Sequence, residues 1–139
     1  VSALANRASI NRLEEMMAQQ PQAELGLEHF FVDGLYARAM TIPKGVALTG
    51  KIHKRDHLNF LLKGRISVMT DSGMKELTAP QIIPSIKGVK RAGYAHEECV
   101  WVTVHATDAT DPETAEEELT EPGRPEIEAM KMKVLEGVK

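Results

Sequence analysis

Residues 57–86 read HLNFLLKGRISVMTDSGMKELTAPQIIPSI, and this stretch decides the fold class. Four short runs rich in aliphatic residues (57–62, 65–70, 74–78 and 81–86) are separated only by Lys63-Gly64, Asp71-Ser72-Gly73 and Ala79-Pro80. Connections this short join antiparallel neighbours, because a parallel pair needs a crossover of a dozen or more residues. Gly, Asp, Ser and Pro are the residues such turns demand. Working outward, the same texture continues upstream through 27–32, 35–42 and 46–53, punctuated by Asp33-Gly34 and Pro43-Lys44-Gly45. Downstream, Lys87-Gly88 and Ala92-Gly93 read as turns ahead of a last run at 99–105. In that run Val100, Val102 and Val104 alternate with Trp101, Thr103 and His105, which gives one apolar face. Eight evenly spaced strands without a long helix between them predict an all-β antiparallel sandwich or barrel.

The two ends differ from this middle. Over 1–20, Ile10, Leu13, Met16 and Met17 recur at helical spacing behind Ser9 as N-cap, and Pro21 stops the run. After Asp108 the chain turns polar. Asp111-Pro112-Glu113 with Glu116, Glu117 and Glu118 reads as an acidic, solvated helical turn, and Glu121-Pro122-Gly123-Arg124-Pro125 as a linker. A last helix over 126–136 has Ile127, Met130, Val134 and Leu135 on one side. The division expected is an N-terminal helical arm at 1–24, a β domain at 25–107, and an acidic linker with a C-terminal helical arm at 108–139.

Composition bounds the function. A net charge of −3 leaves no basic footprint for nucleic acid. No apolar run approaches the ~20 residues that span a bilayer, so no membrane partner is expected. One cysteine, Cys99, excludes an internal disulfide framework and suits a reducing compartment, hence a cytoplasmic location. Cys99 follows Glu97 and Glu98, which raise a thiol pKa, so it reads as structural.

The chemistry concentrates in residues 49–64, TGKIHKRDHLNFLLKG. This stretch resembles the first motif of the cupin family, in which Gly leads to a His-x-His pair, an acidic residue and a closing Gly. On that pattern Gly50 leads in, His53 takes the second His place, His57 stands where the family carries Glu, and Gly64 closes. Lys51 replaces the first His. The family's second motif places a His after a Gly turn, and two alignments compete. Gly88-Val89-Lys90-Arg91 leaves a natural length to the last strand and puts Arg91 at the ligand position; it is preferred. Gly93-Tyr94-Ala95-His96 supplies a His instead. The resemblance, over about residues 35–106, implies a single cupin or jelly-roll domain.

The chain also resembles small cupin-like proteins of bacteriophages, through Gly34-Leu35-Tyr36-Ala37-Arg38, Ile42-Pro43-Lys44-Gly45, Lys90-Arg91-Ala92-Gly93-Tyr94-Ala95 and Val100–Thr107. That likeness implies a non-catalytic binding or structural module, such as a virion accessory protein that decorates or stabilises a capsid. The expected assembly is a homodimer, with other phage structural proteins such as the capsid shell as partners. Association with the virion would follow assembly in the host cytoplasm. No cofactor is expected on this reading.

The alternative is a metal-dependent cupin enzyme or a small-anion binder. His53, His57 and His96 would then be metal ligands, with His105 as another source of a third imidazole. Three His suit zinc, iron, manganese or nickel. Lys51 and Arg91 would orient an anionic ligand, and Trp101 and His105 would line its site. Glu97 or Glu98 would supply a base.

Overall fold

In the computed structural model, which describes residues 3–123, helix α1 (Ala3–Met17) leads into nine strands. These are β1 (Gly26–Val32), β2 (Leu35–Ile42), β3 (Ala47–Thr49), β4 (His57–Lys63), β5 (Arg65–Thr70), β6 (Gly73–Thr78), β7 (Gln81–Ser85), β8 (Ala92–Ala95) and β9 (Cys99–Ala106). A short helix, α2 (Pro112–Leu119), follows. The strands form a five-stranded sheet in the order β1-β2-β9-β4-β7 and a four-stranded sheet in the order β3-β8-β5-β6. Every ladder is antiparallel. The short turns of the 57–86 stretch do what their residues demand: Gly64 and Gly73 both hold positive φ, a region that costs other residues a Cβ clash. The result is the all-β jelly roll that the sequence predicts.

The two sheets enclose Ile42, Leu61, Ile66, Val68, Ala95, Cys99 and Trp101. Four findings correct or extend the sequence reading. First, Ala92-Gly93 is not a turn but the start of β8. A Cβ on Gly93 would lie 3.3 Å from Ile66 Cδ1 and 3.4 Å from Leu48 Cδ2, so the glycine permits close sheet packing there. Second, the 46–53 run shortens to β3, because the chain leaves the sheet at Gly50 and loops toward α2.

Third, the apolar face of β9 points outward. Cys99, Trp101, Thr103 and His105 are buried, whereas Val100, Val102 and Val104 are only half-buried. The inward face joins apolar Cys99 and Trp101 at one end to polar Thr103 and His105 at the other.

Fourth, α1 is rotated relative to its apparent stripe. Asn6, Ile10 and Glu14 are buried, as is Ala18 just past the helix, and Leu13 and Met16 face solvent. Polar anchors set this rotation: Glu14 accepts from Lys90 Nζ and Thr49 Oγ1, both at 2.8 Å, and Arg7 grips Asp71. Ser9 lies inside the helix, donating to the Ala5 carbonyl, and caps nothing.

Helix α2 is more than a solvated turn. Asp111 caps it by accepting from the Thr114 amide at 2.8 Å. Ala115 and Leu119 bury against Tyr36. The helix expected over 126–136 lies outside the described residues.

A three-histidine centre between two cavities

Backbone register brings the centre together. His57 opens β4, and Leu58 pairs with Val104 of β9, so His57 and His105 become inward neighbours. On the other side of β9, Tyr36 pairs with His105 and Arg38 with Thr103. His53 arrives from the loop after β3, where its main chain is pinned from two directions. Its carbonyl accepts from the Gly88 amide at 2.9 Å, and its backbone forms a bridge with Thr120 just past α2. Flanking bonds run from the Lys54 amide to the Leu119 carbonyl and from the Glu121 amide to the Ile52 carbonyl, each 2.8 Å.

The three imidazoles converge. Ring centroids lie 4.2 Å apart for His53–His57, 4.3 Å for His57–His105 and 4.8 Å for His53–His105. One nitrogen from each lies within 4.8 Å of the other two. Burial and the neighbouring cationic groups disfavour charge on all three rings. His53 is held down to about 3, chiefly by burial and then by His57, and His105 to about 4 by burial and His57. His57 is lowered as well, again by burial. Its Nδ1 lies 3.2 Å from the Arg55 carbonyl, which only accepts, so Nδ1 carries the proton and Nε2 keeps its lone pair. Among the described residues, buried His53 Nδ1 and both ring nitrogens of His105 have no hydrogen-bond partner. Buried polar atoms are nearly always paired, so three orphans in one cluster point to a missing partner. Neutral, converging, unpartnered imidazoles are the donor set that a divalent transition metal takes.

The cluster separates two cavities. An inner one of about 80 Å³ has an aliphatic floor that includes Met40, Ile42 and Ile66, with His53 and His57 on its wall. An outer one of about 200 Å³ lies beneath α2, with His53 and His105 on its wall. Arg38 and Thr103 reach both cavities. Arg91 and Lys51 line the inner one, and among the described residues no carboxylate does. Asn59 stiffens the wall: its Oδ1 accepts from Trp101 Nε1 at 3.2 Å and from Thr103 Oγ1 at 3.1 Å.

The cations are not equivalent. Lys51 is turned to Glu116 of α2 in an ion pair that offsets its charge. Arg91 lies 5.5 Å over the Trp101 ring and donates to Ser85 Oγ at 3.2 Å, while its buried Nε has no partner among the described residues. Burial lowers the Arg91 pKa, yet a guanidinium stays charged in any protein setting. Arg38 makes no ion pair among the described residues. Two guanidinium groups therefore remain free to meet an anion beside the histidines.

Of the positions singled out in the sequence, Lys51, His53, His57, Arg91, Trp101 and His105 border this region. His96 does not. It sits on the four-stranded sheet, bonded through Nε2 to Ser67 Oγ at 2.6 Å and edge-on to Tyr94. His105 completes the cluster instead. Glu97 and Glu98 point away into surface ion pairs with Arg65 and Lys63. Cys99 is buried, with its thiol pKa raised chiefly by burial. Sequence reading missed Arg38, Asn59 and Thr103. The signal available for Thr103 was the polar half of the β9 alternation.

In sequence, no protein-family model and no curated protein matches this chain. In structure it is similar to KdgF from Halomonas sp., with TM-score 0.55 and 11% identity over 67% of this chain and 88% of that one. A putative ethanolamine utilization protein Q from Salmonella typhimurium aligns with TM-score 0.54 and 13% identity, covering 67% and 76%. A cupin superfamily protein from Desulfitobacterium hafniense gives 0.53 and 12%, covering 66% and 88%. At these identities the likeness is one of fold, and the fold is that of the cupins.

Proposed function

We propose that this chain is a metal-binding cupin-fold module that captures a small anion at the three-histidine centre. The observation that carries the proposal is the cluster itself: three imidazoles held neutral, with donor nitrogens within 4.8 Å and buried ring nitrogens left unpartnered. His53, His57 and His105 would hold the ion. Bound there, a divalent metal would supply a Lewis-acidic centre that attracts an anionic oxygen. Arg91 and Arg38 would orient the anion, since guanidinium groups match the fork of a carboxylate or phosphate. The aliphatic floor of the inner cavity favours an anion with a short apolar portion. Binding rather than turnover is our reading for the inner cavity, because the imidazoles are committed to the ion and, among the described residues, carboxylates (Glu113 and Glu116) line only the outer cavity. The virion setting implied by the phage resemblance is a separate proposal that concerns surfaces, not this centre.

The test is metal content. Protein purified from medium supplied with zinc, iron, manganese and nickel should carry close to one equivalent of a divalent metal by elemental analysis. His53→Ala and His105→Ala should each lower that to background, and His96→Ala should leave it unchanged. Metal-free wild-type protein that takes up none of these ions in calorimetric titration would overturn the reading. With metal loaded, small carboxylates should raise the unfolding temperature of wild type but not of Arg91→Met.

A further inference from the structure

The two sheets part along one side. β6 is the last strand of the four-stranded sheet and β7 the last of the five-stranded one. Only Ala79-Pro80 separates them in sequence, yet among the described residues β6 pairs with β5 alone and β7 with β4 alone. The gap between these edges holds a third cavity, of about 390 Å³. Leu77, Ile83 and Val89 give this wedge apolar walls. Among the described residues its only charged lining is Lys75 and Arg91, both cationic. Val68, Ser85, Val89 and Arg91 line both the wedge and the inner cavity beside the histidines, so these four form the partition between the two. The partition is lightly held. Arg91 reaches Ser85 Oγ at 3.2 Å, the long end of a hydrogen bond, and its buried Nε has no partner among the described residues.

We infer that the wedge holds the chain of an aliphatic carboxylate whose head group meets Arg91 at the partition. This rests on the anion-capture reading for the head group and gives that anion a class. Size is the first argument. The inner cavity, at about 80 Å³, falls well short of the ~300 Å³ at which small-molecule sites begin, whereas the wedge lies inside that range. A short apolar portion stays within the inner cavity; a longer chain continues into the wedge. Charge is the second. A buried donor without a partner calls for an acceptor, and a carboxylate oxygen on a guanidinium is a strong one. With two cations and no carboxylate on its walls, the wedge keeps an acid and rejects an amine. The strand edge supplies the third. Pro84 leaves the free edge of β7 short of one donor, which disfavours a peptide strand as the occupant.

Calorimetric titration of the zinc-loaded full chain with butanoate, hexanoate and octanoate tests this. Affinity should rise about three- to four-fold for each added methylene as the chain enters the wedge. Octanol and octylamine, which keep the chain and lose the anion, should bind roughly ten-fold more weakly than octanoate. Leu77→Asn should lower octanoate affinity roughly ten-fold and leave butanoate as it was. Gln81→Trp, which narrows the wedge from an exposed position, should do the same and serves if Leu77→Asn fails to fold. Arg91→Met should weaken both acids alike. Octanoate that binds no tighter than butanoate overturns the inference and leaves anion capture standing. Octanol that matches octanoate also overturns it, as does a chain-length rise that survives both wedge variants. Absence of binding by all three acids overturns the inference and anion capture together. A chain that takes up no zinc and still shows the rise supports the wedge and overturns the metal reading alone.

Discussion

At the scale of single residues, the three imidazoles link the centre to stability. An unfolded histidine takes its proton near pH 6.5, whereas folded His53 and His105 resist protonation down to about 3 and about 4. Between those limits the unfolded chain binds more protons than the folded one, so stability falls as pH falls. The contribution is fully present above about pH 6.5 and is progressively lost as acid approaches pH 4. Urea unfolding of metal-free protein should show this as a decline of a few kcal/mol over that window, and His105→Gln should flatten it. Wild-type stability that is level from pH 7 to 4.5 would contradict the neutral cluster. Part of the centre was legible at this scale: the resemblance to the cupin first motif singled out His53 and His57. His105 entered only as one of two sources for a third ring, since nothing local says that it faces inward. Arg38 was illegible, because a lone arginine in a strand reads as a solvated one.

At the scale of elements, β9 shows why. Alternation tells which residues share a face, but the side that is buried depends on what the rest of the chain puts opposite. Here the valines face outward, and Cys99, Trp101, Thr103 and His105 face the interior. The turns were legible because their chemistry is local. Gly64 sits at φ 89°, and a Cβ there would run onto the Glu98 carbonyl oxygen and come within 2.8 Å of Cys99 Sγ. Gly64→Ala should cost at least about 3 kcal/mol. Gly34→Ala, at φ 74° with open space around it, should cost only about 1 kcal/mol; thermal unfolding of the pair makes the comparison. Helix α1 was legible in place but not in rotation, since the buried Glu14–Lys90 pair lies 76 residues apart. Breaking it with Glu14→Ala should destabilise by about 3–5 kcal/mol in denaturant titration, because a charge is left buried without its counterpart. Glu14→Leu with Lys90→Met should recover most of that loss.

At the scale of the molecule, one sheet carries α1 on its outside, the other has no helix on its outer face among the described residues, and α2 closes the end where the histidines meet. The jelly roll itself follows from short turns and aliphatic runs, so it was readable throughout. The ninth strand was not, because Gly93 carries a turn residue's name in a position chosen for close packing. The bridge between His53 and Thr120 has a consequence for motion. Local opening of α2 must break the bonds from the Lys54 and Glu121 amides, and that same opening frees the segment bearing one imidazole. Occupancy of the centre and fraying of the helix are thus opposing equilibria on a common backbone joint. Added zinc should slow deuterium uptake at the Lys54 and Glu121 amides while leaving the distant Arg65–Thr70 strand as it was. Equal exchange with and without the ion would mean that the two ends of the joint move independently.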